Sequence, residues 1–190
     1  MEIIPGQGVA LVRIGDPRSQ VEERVGSPYH GPGGQRAVYT TSPTLVITYA
    51  ADETVELVEI GYSGEGGDAE AHYDGVQLTH RFLDDVVADL YALGHSSTPS
   101  DIGHDFHAGF SVWSMHSLWA RDLDPEAGED DERAVSEGVS VAPYAYFTEG
   151  QREVGKRRAG PGSERTPVPP SQLSRCAGPW RAATASVDVP

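Results

Sequence analysis

The pattern that most restricts the fold is one that occurs twice. Residues 8–28, GVALVRIGDPRSQVEERVGSP, lead a short apolar segment through Gly15-Asp16-Pro17 into an amphipathic stretch that ends at Gly-Ser-Pro. Residues 75–94, GVQLTHRFLDDVVADLYALG, repeat the order more loosely: Gly-Val, an alternating run, a second helical stretch and a closing Gly. Each is followed by segments that read as strands, rich in Thr, Val, Ile, Tyr and other aromatic residues. Two such halves in 190 residues predict an α+β fold of two strand–helix–antiparallel-meander halves, with the helices packed on one face of an antiparallel sheet. That length suits one domain, or two small repeats sharing a core.

In the first half, Val9, Leu11 and Ile14 predict a strand over residues 9–14. Asp16 is read as the helix N-cap and Pro17 as the first helical residue, where its missing N–H costs nothing. Val21 and Val25, four apart, share the buried face. Residues 29–36, YHGPGGQR, form a Gly/Pro loop that comes after a helix and precedes a strand, the reverse of a phosphate-cradling loop. Strands are predicted over 37–41, 44–50 and 54–62, with a hairpin turn at Asp52-Glu53. Residues 63–70 separate the halves.

In the second half, Thr79 or His80 is read as the cap of a helix whose apolar stripe is Phe82, Leu83, Val86, Val87, Leu90 and Leu93. Asp84 and Asp85 stand in its first turn, where the helix dipole favours them. A polar stretch over 95–109 leads to aromatic-rich, strand-like segments at 110–115 and 118–121, and 122–133 is an acidic loop. A last strand is expected over 135–146, with Val139, Val141 and Tyr144 or Tyr146 inward. From residue 150 Gly, Pro, Ser and Arg dominate and periodicity is lost. The expected organisation is therefore a domain over 1–150, in halves of about 1–63 and 71–150, and a disordered tail over 151–190.

The two parts differ in charge. Residues 1–151 hold 7 Lys+Arg against 26 Asp+Glu, a net of −19, and residues 152–190 hold 7 against 3, a net of +4. A body this acidic repels phosphate backbones, which excludes nucleic acid as a direct partner of the folded domain. It matches a basic protein partner instead, or simply a solvated surface. No apolar run approaches the roughly 20 residues needed to cross a bilayer, and no membrane is expected as a partner. The first residues, MEIIPGQG, have neither the basic nor the apolar region of a secretory signal, and the single Cys176 excludes an internal disulfide. The expected location is cytoplasmic, with the oligomeric state left open.

Gly15, the paired Val21 and Val25, and Gly26 with Pro28 ahead of a β meander resemble the tandem α+β repeat of the secreted β-lactamase inhibitor protein and of the related small lipoprotein of the barrel-assembly machinery. The opening Ile3, Pro5, Gly6, Gly8 and Val9 is also similar to uncharacterised bacterial proteins with an Ile-x-Pro-Gly-x-Gly-Val start. The resemblance covers about residues 3–147. It implies binding of another protein through the open face of the sheet. It carries over neither family's location, because signal peptide, lipid-attachment cysteine and disulfide are all missing from the pattern.

There are two sets of candidate residues. The binding set is Trp113 and Trp119, whichever lies on the open side of the sheet serving as an interface anchor, with Asp84 and Asp85 as acidic contacts. The alternative set is His95, His104 and His107, whose spacing can share a metal in a metal-dependent hydrolase. Against that, the HDFH sequence is not the helical HExxH arrangement, and loop histidines are commonly polar surface. Ser111, Ser114 and Ser117 lack a Gly-x-Ser-x-Gly elbow. The acidic loop lacks the alternating ligands and central Gly of an EF-hand loop, and Cys176 stands without partner residues. The expectation is a non-enzymatic protein-binding module with an acidic surface, of immunity or inhibitor type, using no cofactor.

Overall fold

The computed structural model describes residues 1–148. The tail expected over 151–190, with Lys156-Arg157-Arg158, Cys176 and Trp180, lies outside the described residues. The fold is α+β, and each half contributes a small ribbon, a helix and a meander. In the first half the ribbon is β1 (Ile3–Ile4) with β2 (Gly8–Val9), the helix is α1 (Arg18–Val25), and the meander is β3 (Arg36–Tyr39), β4 (Leu45–Tyr49) and β5 (Val55–Gly61). The second half repeats this with β6 (His72–Tyr73) and β7 (Val76–Gln77), α2 (Leu83–Ala92), and β8 (Ser97–Pro99), β9 (Gly103–Phe106), β10 (Phe110–Trp113) and β11 (Gly138–Val141). A short helix, α3 (Ala120–Leu123), interrupts the long β10–β11 connection.

The meanders merge into one seven-stranded antiparallel sheet, in the order β3-β4-β5-β11-β10-β9-β8. Its middle is the pairing of the last strand of each half, Val139 opposite Ile60 and Val141 opposite Val58. The ribbons also meet, through a parallel bridge between Glu2 and His72.

The period-2 alternation of strands divides this sheet into two unlike faces. Ala37, Tyr39, Leu45, Ile47, Tyr49, Val58, Ile60, Phe110, Val112, Val139 and Val141 point to one side and are buried. Val21 of α1 and Leu83, Val86, Val87 and Leu90 of α2 join them in a single core. Phe106 and Phe110 stack at 4.7 Å, with the ring of Tyr73 edge-on to Phe110. Leu57, buried, belongs to the other face.

Several local expectations need correction. Residues 9–14 are no strand: β2 stops at Val9, and residues 10–14 fold back through a Gly8–Arg13 bridge. Pro17, extended, is the cap position of α1. The Asp16 carboxylate instead accepts from the Arg13 backbone N–H and pairs with Arg24, which holds its pKa below the ordinary value against the opposing effect of burial. Phe82 takes the cap position of α2, because Thr79 is drawn away to another partner and His80 adopts a positive φ. Leu93, expected in the buried stripe, is the C-cap of α2 and is exposed, because the helix stops at Ala92. The polar stretch over 95–109 holds two strands, β8 and β9, paired through backbone groups that need no apolar pattern. Residues 118–121 enter α3 rather than a strand. The last strand closes at Val141, and residues 144–148 are helical, so Tyr144 and Tyr146 leave the sheet.

Candidate functional site

The face of the sheet turned away from α1 and α2 carries a trough of about 410 Å³. Its apolar walls are Leu57, Ile102, Trp113, Met115, Tyr146 and Phe147. The polar groups at its floor and edge are Arg36, Glu59, Asp105, Ser111 and Ser140. These come from β3, β5, β9, β10 and β11, so the trough runs across most of the sheet. The helical turn over 144–148 folds back over the face and supplies one wall.

Trp113 is its fixed centre. The indole lies flat over Gly138, its register partner on β11, where a Cβ would overlap the ring. Its Nε1–H donates to Ser140 Oγ at 2.9 Å. Two small residues at alternate positions of β11 thus make room for the ring and orient it, which leaves Trp113 half-buried with one face toward the trough. Ile102 and Met115 at the rim are 46% and 62% exposed, so large apolar groups meet solvent here.

The carboxylates beneath are withdrawn from water. The Glu59 side chain is 16% exposed, and burial raises its pKa although Arg36, at 3.0 Å, opposes the shift. Tyr146 is likewise raised, first by burial and then by Glu56 and Glu59. Asp105 is buried between its register partners Ser111 and Thr98. An anionic floor under apolar walls rewards a cation with an aliphatic stem, because a cation returns to the carboxylate what desolvation took away.

The residues expected from the sequence separate. Trp113 stands in the trough. Trp119 does not: it is 59% exposed at the start of α3, with the Arg121 guanidinium 6.0 Å from its ring. Asp84 and Asp85 are exposed on α2, in the layer behind the sheet. The three histidines also part. His95 Nε2 lies 3.1 Å from Asp74 Oδ2. His104 Nδ1 lies 3.1 Å from Ser97 Oγ, and His107 lies between Ser96 Oγ at 2.8 Å and Thr98 Oγ1 at 3.2 Å. Among the described residues no three His, Cys, Asp or Glu side chains are grouped to hold a metal. The hydroxyl–imidazole pairs brace the β8–β9 hairpin, and the ring nitrogens of His107 meet hydroxyls rather than an orienting carboxylate, so the arrangement lacks the third member of a nucleophilic triad.

Two buried carboxylates escaped sequence reading. Glu70 accepts from the backbone N–H groups of Ser63, Gly64 and Gly66 and from the hydroxyls of Ser63 and Thr79. Glu137 accepts from the Ser117 and Leu118 N–H groups and from the Ser114 and Ser117 hydroxyls. In both, burial pushes the pKa up and the hydrogen bonds outweigh it, leaving a net lowering. They organise loops. Only their loop position beside Ser and Gly residues could have marked them.

The fold and this face define a class: a two-layer α+β protein with one sheet face covered by helices and the other offering a partly apolar, partly anionic trough. Comparison with protein families finds no matching family model, and comparison with curated proteins finds no match. Among solved structures, the chain is similar to a DUF4309 family protein (YjgB) from Bacillus subtilis subsp. subtilis str. 168, at 16% identity over 72% of this chain and 88% of that chain, with a TM-score of 0.40. A likeness of that size bears on neither the fold nor the function of this chain. No helix among the described residues is long and apolar enough to cross a membrane.

Proposed function

We propose that the protein is a non-enzymatic protein-binding module, acting in the cytoplasm, that takes a basic segment of another protein on the open face of its sheet. The observation that carries this reading is the trough: a fixed tryptophan and exposed Ile102 and Met115 over the withdrawn Glu59 carboxylate. Aromatic and apolar groups around a desolvated charge are the ingredients of an interface centre. The net charge of −15 adds long-range attraction for a basic partner and speeds encounter with it. The resemblance to tandem α+β repeats that bind through the open sheet face supports the same reading, and an immunity or inhibitor role toward a cationic enzyme or toxin fits it.

The test is capture of partners from the native host by the wild-type chain, by Trp113→Ala with Glu59→Gln, and by Asp84→Asn with Asp85→Asn. A partner retained by wild type and by the α2 variant, lost by the trough variant and released by salt, is the expected result. Equal retention by all three chains would remove the reading.

A further inference from the structure

The described chain ends beside the trough, and the sequence beyond that end is of opposite charge. Tyr146 and Phe147 form one wall, and Thr148 is the last residue described. Eight residues further on is Lys156-Arg157-Arg158, inside a segment over 152–190 with a net charge of +4 against −19 for the rest of the chain. We propose that the trough is occupied in cis by this chain's own segment around residues 154–158, with the basic triplet over Glu59 and Asp105.

The reach is sufficient. Eight extended residues span up to about 27 Å, and the strands that line the trough, from β3 to β9, lie five gaps or roughly 24 Å apart at about 4.8 Å per gap. The triplet therefore reaches any part of the trough from the 148 end. Tethering also removes most of the entropic penalty of association, since a short linker presents its end at an effective concentration in the millimolar range. Contacts too weak to hold a free peptide then suffice. Val154 and the aliphatic stems of the triplet match Leu57, Trp113 and Met115, while the cationic heads meet the carboxylates. An external basic partner would have to displace this segment, so the contact would set a threshold for binding at the same face. The contact within one chain does not depend on such a partner existing.

The experiment uses the full 190-residue chain, labelled with ¹⁵N. A nitroxide is attached at Ala159→Cys in a Cys176→Ser background, next to the triplet. The expected result at low salt is broadening of the Trp113 indole N–H and of the Ser111 and Ser140 amides, while the Asp84 and Asp85 amides on the far layer keep their intensity. In about 1 M salt, where the Debye length falls to about 3 Å, the trough signals return. The same broadening is absent when Lys156, Arg157 and Arg158 are all replaced by Glu. Trough and α2 signals attenuated alike, or neither attenuated, would overturn the proposal. So would broadening of an unlabelled ¹⁵N chain mixed with nitroxide-bearing copies, which would place the segment on a second molecule. Failure of this experiment leaves partner capture untouched, and failure of capture leaves this contact untouched.

Discussion

Glu70 and Glu137 show how much a single side chain organises here. Each stands at the end of a connecting segment, and each draws several backbone N–H groups and hydroxyls onto one carboxylate. Removing such a charge strands its donors. Glu137→Ala should lower stability by on the order of 3 kcal/mol, measured by denaturant unfolding. The pH dependence has a definite sign. A carboxylate whose folded pKa is lowered binds fewer protons folded than unfolded, so its contribution is complete above the unfolded pKa and is lost as pH falls through the folded one. Glu137→Ala should flatten that acid limb. Glu59 runs the other way: its pKa is raised, so it weakens the fold as pH rises through its window, and Glu59→Gln should raise stability at neutral pH. A fall in stability at neutral pH on that substitution would contradict the burial argument. None of these three roles is written in spacing, because the partners are loop amides brought near only once the chain path is set.

The elements were legible to the extent that periodicity fixed them. Leu83, Val86, Val87 and Leu90 repeat at helical spacing and are buried. The β4–β5 hairpin follows from its alternating apolar residues and the turn at Asp52-Glu53. The stripe overran at Leu93, where spacing continues but the helix does not. Leu90→Ala should therefore cost about 3 kcal/mol and Leu93→Ala within about 0.5, a contrast readable from thermal or denaturant unfolding. The edge strand β8 and its neighbour β9 were hidden because their residues, Phe106 apart, are mostly polar and their pairing is carried by the backbone. The position of Trp113 was legible only as a choice between two tryptophans. The strand register decided it, by setting Gly138 beneath the ring. Gly138→Ala should push the indole off β11 and shift its fluorescence to longer wavelength, while leaving α2 packed.

At the scale of the whole molecule, the double pattern read from the sequence becomes a sheet joined at β5 and β11, with both helices on one side. That arrangement leaves the other side with apolar walls, an oriented tryptophan and withdrawn carboxylates, on a chain of net charge −15. The candidate site was only partly legible, since it is assembled across five strands and a helical turn that no local window joins. Asp84, Asp85 and Trp119 are exposed and lie outside the trough. The most direct measurement is oxidative footprinting of the protein alone and bound to a captured partner. Binding is expected to protect Met115 and Trp113 and to leave Tyr91, on the helix side, as reactive as before. Protection of Tyr91 with Met115 and Trp113 unchanged would contradict that expectation.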